Sequence, residues 1–279
     1  EIIRLGGSFS FKTCLTGFKI NNDAITSIEL DHKEWIPASV CVLALGHSAR
    51  DTFEMLSQTP LSMEPKSFAV GFRVEHPQQF INETQYGEKY HDKLDAAPYK
   101  VTANLPNGRG VYSFCMCPGG YVVNASSEEN RLAVNGMSYS DRGSSNANSA
   151  IIVSVTPEDF NGNDALCGVR FQRDLEAKAY ALGNGKIPQQ LFKDYCDNKA
   201  STGYGDFSSE TKGANTFTNL RGLLTKDMEQ SFIDGMHSFA RHIPGFDRDD
   251  AILSGIESRT SSPIRMNRDK TFQSNISGI

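Results

Sequence analysis

Eight residues of nearly unbroken apolar character, Ala38-Ser39-Val40-Cys41-Val42-Leu43-Ala44-Leu45, lead straight into the polar turn Gly46-His47-Ser48-Ala49-Arg50. The run is too short for a helix and too uniformly apolar for a half-exposed strand, so it predicts a buried strand. Ser48 as N-cap, with Asp51 three residues on, predicts a helix reaching about Gln58. A strand that turns through Gly into a helix N-terminus is a common seat for an anionic cofactor, and equally an ordinary junction. Upstream the period is two. Phe9 and Phe11 alternate with polar neighbours, Asn21-Asn22-Asp23 signals a turn, and Ile25 to Leu30 alternates again.

Downstream, Ser67 to Glu75 alternates and is closed by Pro77, and residues 82–108 are polar and irregular. Two strands, 110–115 and 121–125, flank Pro118-Gly119-Gly120 and predict a hairpin. Residues 131–135 and 150–155 supply two more strands. Helical spacing then takes over at Val169, Leu175, Ala179 and Leu182, ending at Gly183-Asn184-Gly185. Pro188 opens a predicted short helix through Tyr195, and residues 197–215 read as a loop. A further helix from Lys226 to Arg241 carries Met228, Phe232, Met236 and Phe239 on one stripe, and residues 251–256 form a last strand. The fold class expected is α+β: a mixed, largely antiparallel sheet from 67–155 and 251–256, with helices between about 166 and 241 packed on it.

Composition narrows the function classes. With 279 residues the chain can bury roughly 75% of its unfolded surface. Its 28 Lys and Arg against 33 Asp and Glu leave a net charge of −5, which argues against nucleic acid or an anionic membrane as partner. No stretch approaches the roughly 20 apolar residues of a membrane span. Six scattered cysteines point to reduced thiols and a cytoplasmic location rather than a disulfide framework. The opening Glu1-Ile2-Ile3-Arg4, already apolar and without Met, predicts a piece of a longer protein.

Two segments carry candidate chemistry. Cys115-Met116-Cys117-Pro118-Gly119-Gly120 places two thiols at a strand end, as a redox dithiol or as simple packing. A zinc site would need about four ligands, and the sequence has no second C-x-C or H-x-H pair. Arg259-Thr260-Ser261-Ser262-Pro263-Ile264-Arg265 sets three hydroxyls between two guanidiniums, with Ser262 held extended by Pro263, and suits a phosphate or carboxylate. His47 and His76 read as a turn residue and a strand-end surface group. Gly203-Tyr204-Gly205 lacks the strand, third glycine and helix of a dinucleotide loop.

A series of segments, in order from about residue 38 to 268, carries a resemblance. It includes residues 43–53, Phe68-Ala69-Val70-Gly71-Phe72-Arg73-Val74-Glu75-His76-Pro77-Gln78, Gln85-Tyr86-Gly87, residues 109–123, Asn135-Gly136-Met137-Ser138-Tyr139, residues 146–150 and residues 257–265. Together they resemble the bacterial family of FAD-dependent (NAD/FAD-utilising) dehydrogenases. Leu45 stands where Thr is usual, and Leu223-Leu224-Thr225 departs from a Pro-containing pattern.

The resemblance implies a central portion of a longer flavoprotein, without the family's N-terminal G-x-G-x-x-G loop and C-terminal glycine-rich segment. Residues 1–58 would be a remnant of the FAD domain, 59–256 an inserted substrate-side domain, and 257–279 the return. Gly46, His47, Ser48, Arg50, Arg259, Thr260 and Ser262 are the implied cofactor-side residues. Cys115 and Cys117 would be the catalytic or packing thiols near the flavin ring, and Arg73 and Glu75, with Arg259, would orient a polar or anionic small-molecule substrate. FAD is expected in the full-length parent and not in this portion alone, whose partner would be the rest of the FAD domain. The use of NAD(P) and the oligomeric state stay open. So do a binding or structural domain without chemistry, and a thiol oxidoreductase independent of flavin.

Overall fold

A computed structural model describes residues 1–90 and 92–279. Along the chain the strands are β1 (Leu15–Asn21), β2 (Ala24–Leu30), β3 (Glu34–Pro37), β4 (Met63–Pro65), β5 (Phe68–Pro77), β6 (Thr102–Asn104) and β7 (Gly110–Cys117). They continue as β8 (Gly120–Asn124), β9 (Val134–Ser138), β10 (Asn146–Val155), β11 (Ile187–Leu191), β12 (Asn215–Phe217), β13 (Ile252–Glu257) and β14 (Ile264–Met266). The helices are α1 (Arg50–Ser57), α2 (Gln78–Tyr86), α3 (Cys167–Gly183), α4 (Phe192–Cys196) and α5 (Lys226–Phe239). The architecture is α+β, and none of these helices is long and apolar enough to cross a membrane.

Two compact units share the chain. The smaller comprises Glu1–Lys66, Gly162–Val169 and Ser262–Ile279, and the larger comprises Ser67–Asn161 and Arg170–Ser261. These changeovers at 66/67 and 261/262 stand beside sequence-derived boundaries of 58/59 and 256/257.

The larger unit is built on a seven-stranded sheet in the order β12-β11-β13-β5-β10-β7-β6, antiparallel except for the β11–β12 pair. Its central strands β5 and β10 pair over ten residues, from Phe68 opposite Val155 to Pro77 opposite Asn146. Both strands are buried on both faces, so the period of two read for β5 does not mark a face turned to solvent. On one face, Phe72 stacks edge-on against Phe232 of α5 (5.1 Å between centroids) and Tyr195 of α4 (5.4 Å). The predicted α5 stripe is fully buried, and the Thr225 hydroxyl caps the helix by accepting from the Met228 N–H. Gly235 lets α5 approach closely, because a Cβ there would lie 2.5 Å from Val111.

Several local expectations are corrected. The predicted hairpin does not form: β7 pairs with β6 and β10, while β8 pairs with β9. Gly119, in the left-handed region at φ +48°, turns the chain away, and its N–H donates to Gln78 Oε1 at 2.7 Å. Residues 187–191 form a strand rather than a helix from Pro188, and α4 begins only at Phe192.

The third correction lies in the smaller unit. Residues 38–45 form no strand, and Val40 and Val42 stand in solvent at 72% and 85% exposure. The segment is held by the Ala38 N–H to Thr26 O and the Cys41 N–H to Gly278 O, while Leu43 and Leu45 turn toward Leu56, Leu61 and Ile276. The run is therefore one-sided, with alternate residues packed and alternate residues bare. Helix α1 starts at Arg50 after Ala49, so Ser48 is not its cap.

Candidate thiol–arginine site

Strand β7 carries the site's most unusual backbone. Between β10 and β7 the register shifts from Asn148 opposite Cys117 to Ala150 opposite Phe114, so Cys115 and Met116 together face Ser149. This is a β-bulge, and Cys115 occupies its left-handed position at φ +45°. Every other described non-glycine residue with positive φ lies outside the strands; Cys115 alone lies within one. Such a conformation costs a non-glycine residue about 1 kcal/mol or more, and strain of this kind clusters at functional sites. Cys115 is exposed and Cys117, two residues on, is buried.

Beneath the bulge lies Arg73, from the middle of β5 and with no exposure to solvent. Its Nε donates to Glu257 Oε2 at 2.7 Å, and its Nη1 donates to Cys115 O at 2.8 Å and Asn148 Oδ1 at 3.1 Å. Its Nη2 donates to Asn135 Oδ1 at 2.7 Å, and Nη1 also lies 3.9 Å from Cys117 Sγ. Glu257 arrives from the end of β13, after a register irregularity that follows Ser254. Gly136 makes room for the group, since a Cβ there would stand 2.4 Å from Arg73 Nη1 and 2.3 Å from Asn148 Oδ1. One donor remains: Asn148 Nδ2 is buried without a hydrogen-bond partner among the described residues.

The electrostatics follow from this enclosure. Burial pulls the Arg73 guanidinium down, but the charge and hydrogen bond of Glu257 outweigh it and hold it above its ordinary value. Burial raises the Glu257 carboxyl, with Arg73 pulling the other way. The Cys117 thiol donates to Cys115, which with the nearby Arg73 charge brings the Cys115 thiol down to about 5. Cys117 itself is pushed up, first by that hydrogen bond and then by burial. The arrangement is an exposed thiolate, a buried thiol beside it, and a fixed cation below.

Glu75 shares the Arg73 face of β5 but belongs to a different network. It accepts from Asn146 Nδ2 (3.0 Å), Ser209 Oγ (2.5 Å) and the Glu210 N–H (2.9 Å), and burial raises its carboxyl. His76, expected at the surface, is wholly buried: its Nε2–H donates to Phe246 O at 2.7 Å, and Nδ1 has no partner among the described residues. Burial drives that ring down to about 4, so it is neutral. Arg259 pairs with Glu176 at 2.8 Å and also reaches Ser127, while Thr260 Oγ1 donates to Ala69 O. Arg73, Glu75 and Arg259 are thus held by their own chain rather than turned toward solvent.

The remaining predicted residues lie in the smaller unit. His47 Nδ1 is 2.7 Å from Ser48 Oγ, Arg50 is buried, and Ser262 Oγ bridges the backbone of Ile264. Gly46, at φ +70° with open space where a side chain would stand, borders a cleft of about 480 Å³ lined also by Lys66, Ser262, Arg265 and Arg268. Three cations around a bare glycine turn suit an anionic group.

Sequence reasoning did not single out Asn135, Asn146, Asn148 and Glu257. A signal was there: Asn146-Ala147-Asn148 alternates polar residues onto one face of an otherwise apolar strand.

A family model described as "FAD-dependent protein, C-terminal domain-like" matches residues 67–260. An uncharacterised protein of Clostridium beijerinckii (strain ATCC 51743 / NCIMB 8052) is 45% identical over 284 residues, covering 100% of this chain and 53% of that protein. The chain therefore spans about half the length of the relative it matches.

Proposed function

From the premise that this chain belongs to the family of FAD-dependent proteins with this C-terminal domain, we propose that it is the central part of a cytoplasmic FAD-dependent oxidoreductase, a dehydrogenase of a small polar substrate. The larger unit supplies the substrate side, and the smaller unit contributes to the flavin site. The observation that carries the reading is the exposed Cys115, held in a strained bulge over the enclosed Arg73–Glu257 pair.

FAD, when bound, supplies two-electron transfer. The cleft beside Gly46 fits the charge of that cofactor, and Lys66, Arg265 and Arg268 would hold its phosphates, with Gly46 and Ser262 allowing close backbone approach. Cys115 meets the substrate. Arg73 does not, because it is enclosed; it positions the bulge through Cys115 O and maintains positive potential under the thiols. The bare apolar side chains Val40 and Val42 fit coverage by further chain of a longer protein, a reading that the greater length of the relative supports.

Flavin absorbance of the purified longer protein tests this reading, with FAD released by denaturation and identified by chromatography. Stoichiometric FAD is expected, with retention lowered by Arg268→Ala. A colourless, flavin-free protein that is correctly folded would overturn it.

A further inference from the structure

We propose that Cys115 and Cys117 form a thiol–disulfide exchange centre, with Cys115 as the attacking thiol, Cys117 as the resolving thiol, and small accessible disulfides as the substrate class. The proposal rests on the reading that the thiol-bearing bulge is the reacting face. Four features of geometry support it. Cys115 is exposed while Cys117 is buried, so only one of the two can meet a substrate first. The Cys117 Sγ–H donates to the Cys115 carbonyl oxygen at 3.4 Å, so the buried side chain turns back toward the bulge that carries Cys115. Arg73 touches both residues, donating to Cys115 O and lying 3.9 Å from Cys117 Sγ. The left-handed bulge raises Cys115 out of the regular pleat at a cost in backbone strain that packing alone does not require.

The chemistry balances within the pair and its substrate. The Cys115 thiolate attacks one sulfur of a disulfide R–S–S–R′; the S–S bond breaks, and R′–S⁻ leaves and takes a proton from water. Cys115 is now a mixed disulfide and no longer carries charge. Its hold on the Cys117 proton, which kept that thiol protonated, is gone, while Arg73 remains beside Cys117 to favour the thiolate. Cys117 loses its proton to water and attacks Cys115 Sγ. The Cys115–Cys117 bond forms, R–S⁻ leaves, and the substrate has gained the two electrons that the pair has lost. A dithiol such as dithiothreitol restores the starting state.

The test uses the full chain, reduced and freed of reductant, then exposed to oxidised glutathione and analysed by peptide mass spectrometry. The peptide holding both cysteines should end as the internal disulfide, with two equivalents of glutathione released. Cys117→Ser should stop at the mixed disulfide on Cys115 with the second equivalent lost, and Cys115→Ser should leave that peptide unreacted. A stable mixed disulfide on wild-type Cys115, or capture at exposed Cys14 with Cys115 untouched, would overturn the proposal. Because the assay contains no flavin, exchange in a protein whose longer form lacks FAD would sink the oxidoreductase reading alone. FAD without exchange would sink this one alone.

Discussion

The two units of this chain differ in which unfavourable groups they gather. The larger encloses charge: Arg73, Glu75, Glu176 and Glu257 are all buried, each with partners drawn from other strands or loops. The smaller leaves apolar side chains bare, among them Ile3, Leu5, Phe11, Val40, Val42 and Phe272. Enclosed charge makes a network in which each member depends on the rest, because removing one partner strands another in a low dielectric. Bare apolar residues depend on no neighbour and contribute little where they stand. The difference locates the larger unit's vulnerability in a few residues under β7, and marks the smaller unit as a surface that something else can cover.

The sharpest way to break this contrast is Arg73→Ala. It leaves Glu257 buried and unpaired, and should cost about 3–5 kcal/mol in urea unfolding. A cost under about 1 kcal/mol would remove the enclosed pair from the account.

Next in size is a pH effect. His76 is buried neutral, with its folded value lowered to about 4 from an ordinary 6.5. The unfolded chain therefore binds a proton that the folded chain refuses between these values. The contribution is complete above about pH 6.5, is lost as the pH falls toward 4, and amounts to roughly 3 kcal/mol. His76→Gln should remove that part of the slope from the stability curve, and an unchanged slope would contradict the enclosure of the ring. Gly136→Ala comes third. Its Cβ would collide with Arg73 and Asn148, so a loss of about 1–3 kcal/mol is expected in thermal unfolding. The smallest effect belongs to the other unit: Val42→Ser should change stability by less than about 0.5 kcal/mol while lowering the binding of an apolar dye.

Much of the larger unit was legible because its elements obey a single period. The α5 stripe recurs in the structure as a buried face, and β5 and β10 stand where strands were expected. The predicted hairpin failed because the Pro118-Gly119-Gly120 signal describes a turn but not which strand the chain will meet next. Gly119 turns it into contact with Gln78 and Arg142 instead. The run 38–45 failed for a related reason: local hydrophobicity predicts burial but not the partner that provides it. At the candidate site, the two cysteines stood out by residue type, and Arg73 through the family resemblance. Glu257, Asn135 and Asn148 come together only through cross-strand register, which pairs residues far apart in the chain.

The central claim is that Cys115 is a thiolate at neutral pH because Cys117 and the enclosed Arg73 hold its charge. The most direct measurement is the pH dependence of its alkylation by iodoacetamide, followed at this peptide by mass spectrometry. The account predicts a rate that has levelled off by about pH 6.5 and stays flat to about pH 8.5. A rate that climbs about tenfold per pH unit up to pH 8, as for an unassisted thiol, would contradict it.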